Sequence, residues 1–140
     1  MFSKSECSII EKAIAEAELN CSGEIRVHID KKCPGDVIES AIHTFHRLSM
    51  QNTQLRNGVL FYIASESHKF AVIGDVGINE KVGNNFWEDV SAEIETNFRN
   101  GNFVEGLTNG ILRCGEKLKE FFPYQSDDIN ELPNTVSFGD

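Results

Sequence analysis

One candidate buried strand constrains the fold of this chain more than any other stretch. Residues 58–64 read G-V-L-F-Y-I-A, a nearly continuous apolar run rich in β-branched and aromatic residues. Such a strand needs cover on both faces, which places it in the middle of a sheet. A short polar turn at 65–68 separates it from K-F-A-V-I-G at 69–74. The two runs are therefore predicted to pair as an antiparallel hairpin.

The segments before the hairpin predict a crossover unit. Residues 24–30 alternate, with Ile25, Val27 and Ile29 on one face, which is typical of a strand with one packed face and one partly wet face. Residues 37–50 carry an apolar stripe at helical spacing. A strand, a helix and a second strand in this order favour parallel pairing with a right-handed connection.

The remaining pattern predicts three more helices and a tail. The helices are expected at 3–19, 84–99 and 103–122, and residues 75–83 are expected to form a glycine-containing loop. Ser3 and Glu6 fit a capping box at the first helix. We therefore predict an α/β fold, a three-layer α/β/α sandwich around a mixed parallel and antiparallel sheet of about four strands.

The domain is expected to span residues 1–123, followed by an acidic tail at 124–140. The tail has no lysine or arginine and is predicted to be extended or partly docked through Leu132, Val136 and Phe138. The fourth strand is expected from its segment 135–138.

Composition limits the classes of function. With 140 residues, 40% of them hydrophobic, the chain can bury one core. A net charge of −9 argues against nucleic-acid binding, because no basic stripe is available for phosphates. No apolar run approaches the roughly 20 residues that cross a bilayer, so no membrane insertion is expected. Without a signal-peptide pattern we expect a cytoplasmic location, and we expect a monomer.

The cysteines and three of the histidines have ordinary structural explanations. The four cysteines are widely spaced and form no C-x-x-C pair, which favours free thiols over a zinc cluster. His43 and His46 share a helix face, but no nearby acidic or cysteine partner completes a metal site, so a solvated face is expected. The same is expected of His28.

The best candidate site is the predicted loop after the third strand. An antiparallel hairpin brings Asp75 beside Arg56 and Asn57, so that two connections meet at one end of the sheet. Calcium takes about six to eight oxygen ligands from carboxylates, amides, carbonyls and water. The site is not an EF-hand, because Phe86 stands where a twelfth-position glutamate would be required. The candidate metal ligands are Asp75, Glu80, Asn57, Asn84, Glu88 and Asp89.

An alternative remains open for these residues. Asp75 could cap a turn, and Asn84 could cap the following helix, without any metal.

The same stretch carries a family resemblance. R-N-G-V-L-F-Y-I-A, followed by F-A-V-I-G-D-V-G-I-N-E-K-V-G and F-W, resembles the core of the TPM domain, a family named after thylakoid, photosystem-associated and membrane proteins. The likeness extends back through residues 23–29 and forward to 106–116 and 127–133. The chain looks like a stand-alone bacterial-type version. The resemblance implies divalent-ion binding, and it matches Asp75 and Glu80 to the family's G-D-x-G and following acidic residue.

Three functions follow as hypotheses. The first is a module that binds a divalent metal, calcium before magnesium, with a regulatory or structural role. The second is a metal-dependent phosphatase acting on phosphate esters, implied by the thylakoid members described as acid phosphatases; G-x-x-x-x-G-K-[ST] and C-x-x-x-x-x-R loops are absent. The third is a protein-interaction module for membrane-associated assemblies, with D-D-I-N-E-L-P at 127–133 as a docking strip.

Overall fold

The fold is that of an α/β domain with a four-stranded sheet. The computed structural model describes residues 2–19, 21–124 and 132–139. Its helices are α1 (Lys4–Glu18), α2 (Val37–Arg47), α3 (Val76–Val82), α4 (Asn84–Arg99) and α5 (Phe103–Phe121). Its strands are β1 (Glu24–Asp30), β2 (Gly58–Ala64), β3 (Lys69–Gly74) and β4 (Ser137–Phe138).

The sheet has the strand order β3-β2-β1-β4. β1 pairs in parallel with β2 and with β4, whereas β2 and β3 form the antiparallel hairpin. All seven residues of β2 are buried, because helices cover both faces of the sheet. The predicted mixed sheet and its central apolar strand are confirmed.

Two hydrophobic cores lie on opposite faces of the sheet. The larger contains Val27 and Phe61 and packs against α1, α4 and α5 through residues such as Ile14 and Ile111. The smaller contains Leu60 and Tyr62 and packs against Phe45 of α2. The predicted three layers are confirmed. No helix in the described ranges is both long enough and apolar enough to cross a membrane.

The polar face of β1 is partly exposed at Arg26 and Asp30, as predicted, but the prediction of a solvated His28 was wrong. Glu24 and His28 are 2% and 1% exposed. Arg47 of α2 and Ser137 of β4 both approach His28, so that the neighbouring elements cover this side chain. Alternation in the sequence identified the two faces of β1 but not what lies over them.

The predicted loop at 75–83 is mostly a helix, α3. Asp75 is its N-cap, with Oδ1 accepting a hydrogen bond from the Val76 N–H at 2.8 Å. The helix ends at Gly83, whose φ of 75° suits a glycine. Helical hydrogen bonds use the carbonyl oxygens of Asp75 and Asn79, which the predicted loop would have offered to a cation.

The C-terminal segment is docked where the structure describes it. Leu132 and Val136 are buried, while Phe138 is 59% exposed. β4 falls within the predicted segment. Residues 125–131 and 140, which include most of the predicted docking strip, lie outside the described residues, and the domain boundary at 123 stays a prediction.

Candidate functional site

The sheet end where β1 and β2 begin and β3 stops carries the predicted site; we call it the Asp75 rim. Arg56 donates from Nε to Oδ2 of Asp75 at 2.7 Å and from Nη2 to Oδ1 at 2.8 Å. The Gly77 N–H donates to the Arg56 carbonyl at 2.8 Å. Connection 51–57 and the start of α3 therefore meet at this end of the sheet. The Asp75 carboxylate is 4% exposed, and its charge is balanced by a guanidinium that is 45% exposed.

Asn57 is the second predicted ligand within the rim. Its side chain is 1% exposed, and Nδ2 donates to the Ser22 carbonyl at 3.1 Å. Oδ1 is buried and has no hydrogen-bond partner within the described part of the chain. An unsatisfied buried carbonyl oxygen is costly, so it marks a place where a further group would be stabilising.

Two carboxylates in the rim were missed by the sequence analysis. Glu24 is buried at the start of β1 and is in register with Gly58, next to Asn57. Glu18, at the end of α1, accepts the Ile25 N–H at 2.7 Å. Burial, reinforced by the charge of Glu24, raises the pKa of Glu18 to about 8. The helix and strand patterns had explained both residues as ordinary polar positions.

The four other predicted ligands lie on exposed surfaces. Glu80 is exposed on α3, whereas Asn84, Glu88 and Asp89 are exposed on α4. Asp89 lies 3.9 Å from Nη2 of Arg113 on α5. Among the described residues, no hydrogen bond joins any two of the six predicted ligands, and no three acidic, histidine or cysteine side chains gather closely enough to hold a metal. Of the six, Asn57 and Asp75 are buried at this end of the sheet, where Glu24 is buried as well.

A second polar group lies at the opposite end of β1; we call His28, Asp30, Tyr62 and Ser137 the His28 cluster. Nε2 of His28 donates to Oδ1 of Asp30 at 2.8 Å, and Tyr62 donates to Oδ2 at 2.6 Å. Nδ1 of His28 lies 2.9 Å from the Ser137 hydroxyl. Burial alone would raise the pKa of Asp30, but the hydrogen bonds from Tyr62 and His28 outweigh it and leave that pKa below its ordinary value.

The His28 cluster lies where α/β proteins commonly place ligands. β1 connects to β2 on one side through α2, while β4 lies on the other side, and crevices form at the carboxyl ends of strands at such a reversal. A cavity of about 450 Å³ opens there, lined by Asp30, Tyr62 and Gly139 and by the cations of Lys32 and Arg47. The only signal for it in the sequence was the spacing of His28 and Asp30 on one face of β1, because Ser137 comes from a distant segment.

Comparisons with known proteins agree with this architecture. Residues 1–117 match the TPM domain. The chain belongs to the TPM domain family. The solution structure of BA42 from the psychrophilic bacterium Bizionia argentinensis shares 46% identity with this TPM domain, with a TM-score of 0.92 over 99% of this chain and 96% of that one. No curated protein matches the chain.

Two more distant structures share the fold of this TPM domain. The N-terminal domain of cg2496 from Corynebacterium glutamicum has a TM-score of 0.69 at 11% identity, covering 94% of this chain and 82% of that one. An N-terminal domain from P. gingivalis has a TM-score of 0.69 at 15% identity, covering 89% and 82%. These likenesses support the fold alone.

Proposed function

We propose that this TPM domain binds a divalent cation at the Asp75 rim, calcium in preference to magnesium, in a regulatory or structural role. The observation that carries the proposal is Oδ1 of Asn57, a buried acceptor without a partner in the described residues. It lies in a rim that also buries the carboxylates of Glu24 and Asp75. Amide and carboxylate oxygens are ligands of calcium and magnesium, and calcium tolerates irregular geometry better.

At this rim the Arg56 guanidinium competes with a cation for the Asp75 carboxylate. Arg56 donates two hydrogen bonds to Asp75, so a cation that takes this carboxylate must displace the guanidinium. The displaced Arg56 side chain is already 45% exposed and can be solvated without burying a charge. We therefore expect moderate affinity, with movement of Arg56 accompanying metal binding.

The experiment is a calcium and magnesium titration of chelator-treated protein, followed by amide chemical shifts. We expect saturable shifts confined to residues 22–25, 55–58 and 75–77, and weaker binding by about tenfold or more in Asn57→Ala and in the isosteric Asp75→Asn. Asn84→Ala and Glu88→Gln are the matched controls, since both residues are exposed on α4. Uniform small shifts, or equal weakening by the controls, would reject the rim as the site.

The other functional hypotheses stay predictions. These are the metal-dependent phosphatase and the protein-interaction module for membrane-associated assemblies. The cytoplasmic location and the monomeric state also stay predictions.

A further inference from the structure

The fourth strand of the sheet comes from outside the segment that matches the family. The TPM domain match ends at residue 117, whereas β4 is formed by Ser137–Phe138. In the strand order β3-β2-β1-β4, β4 is the one strand among the described residues that pairs with the outer edge of β1. An uncovered edge presents unpaired backbone N–H and C=O groups to any extended segment that can pair with it.

Backbone hydrogen bonds hold the C-terminal segment in this place. The Gly139 N–H donates to the Ile29 carbonyl at 2.9 Å, and β4 pairs in parallel with His28 and Ile29. At the start of the strand, the Val136 N–H donates to Oε2 of Glu11 on α1 at 3.0 Å. Extended peptides that add to a sheet edge are bound by main-chain contacts of this kind.

Side-chain sites on both faces of the sheet give the segment a sequence requirement. Leu132 is buried in the smaller core and Val136 in the larger one. The Ser137 hydroxyl meets Nδ1 of His28 at 2.9 Å. A Cβ at Gly139 would overlap Oδ1 of Asp30, so a larger residue there requires the Asp30 carboxylate or the segment itself to move. Specific side-chain sites beside a paired backbone are the hallmark of strand-addition recognition.

We propose that the outer edge of β1 is a peptide-docking groove, defined by Glu11, His28, Ile29 and Asp30. Its partner is an extended segment of another protein with the pattern Leu-x-x-x-Val-Ser-x-Gly, and residues 132–139 of this chain occupy it in cis. Because the segment belongs to the same chain, a partner competes with an intramolecular occupant and must displace it. The inference does not depend on metal binding at the Asp75 rim.

The test weakens the tethered segment in the full chain and then supplies the segment in trans. Gly139→Ala should force the segment away from Asp30 and move the imidazole resonances of His28. A fluorescent peptide with the sequence of residues 132–140 should then bind the variant at least tenfold more tightly than it binds the wild type. The same peptide carrying Gly139→Ala is the matched control and should not bind.

Several results would overturn the proposal. The first is unchanged His28 resonances in Gly139→Ala, because the space requirement would then be wrong. The second is no peptide binding to a variant whose segment has left, and the third is equal binding of the control peptide. If the wild type is a dimer that the peptide dissociates, the occupant of the groove is a second copy of this chain, which contradicts a partner that is a different protein.

A second measurement covers the case in which Gly139→Ala does not fold. A protease site inserted directly after Tyr124, which is 57% exposed, allows the full chain to be cut after folding. The C-terminal fragment should stay bound and exchange with the fluorescent peptide. Two results would contradict a docking groove. In the first the fragment never dissociates, and in the second it dissociates at once and the protein does not bind the peptide.

Discussion

Arg56 and Asp75 are joined by two hydrogen bonds, 2.7 and 2.8 Å long, between an exposed guanidinium and a buried carboxylate. The same carboxylate caps α3 through the Val76 N–H. One side chain therefore links connection 51–57, the end of β3 and the start of α3.

Replacing Asp75 should destabilise the fold as well as the proposed metal site. Asp75→Ala removes the acceptor of the Val76 N–H and the partner of Arg56, and should lower the free energy of unfolding by about 1–3 kcal/mol. Urea denaturation measures the change. The matched control is Glu80→Ala on the exposed surface of α3, expected to change stability by no more than about 0.5 kcal/mol. Equal effects would show that Asp75 has no special role.

Glu18 should make the protein less stable as the pH rises. Burial and the neighbouring charge of Glu24 raise its folded-state pKa from 4.5 to about 8. The folded protein therefore binds more protons than the unfolded chain between these values, and stability falls from about pH 5 to pH 8. Glu18→Gln keeps an acceptor for the Ile25 N–H and removes this dependence.

We expect Glu18→Gln to be more stable than the wild type at pH 8 by about 2 kcal/mol, less than the full shift implies because Glu18 is partly exposed. At pH 5 the two proteins should be nearly equally stable. Denaturation midpoints across this range give the comparison, and Glu16→Gln on the exposed face of α1 is the control. Parallel curves for wild type and Glu18→Gln would contradict the prediction.

Tyr62→Phe tests the His28 cluster. The change removes the hydroxyl that donates to Asp30 at 2.6 Å and should cost about 1–2 kcal/mol at neutral pH. The pKa of Asp30 is lower in the folded protein than in the unfolded chain, so ionised Asp30 stabilises the fold above the ordinary pKa of an aspartate. This stabilisation is lost as the pH falls through the lower, folded-state pKa. The stability difference between Tyr62→Phe and wild type should therefore shrink in acid.

Acid and urea titrations measure that difference. Tyr124→Phe is the control, because Tyr124 is 57% exposed. If the stability difference between Tyr62→Phe and wild type stays constant down to strongly acidic pH, the contribution of Tyr62 does not depend on the charge of Asp30.

Gly115 should be required for the packing of α5 on α1. A Cβ at this position would lie 2.7 Å from both Cα and Cβ of Ala17, so Gly115→Ala must push the helices apart. Overpacking of this kind costs about 1–3 kcal/mol. Gly35→Ala is the matched control, since no atom lies within 4 Å of its added Cβ. Thermal unfolding compares the two, and equal melting temperatures would show that the helices adjust without cost.

Local patterns were enough for most secondary structure. The capping box at Ser3 and Glu6 forms as predicted, and the predicted helix at 84–99 is confirmed as α4. Residues 75–83 were misassigned because their glycines suggested a loop. In the folded chain Gly77 is instead needed for close packing, since a Cβ there would overlap the carbonyl oxygens of Leu55 and Arg56.

The sequence by itself determined the central strand, the hairpin and the proximity of Asp75 to Arg56, because side-chain periodicity and antiparallel register act over short distances. Tertiary structure alone decided the surroundings of Asn57, the burial of His28 and its contact with Ser137. The His28–Ser137 contact joins positions 109 residues apart. Contacts between residues so far apart in sequence depend on how helices and strands pack around a common core. The local pattern of a single sequence does not predict that packing.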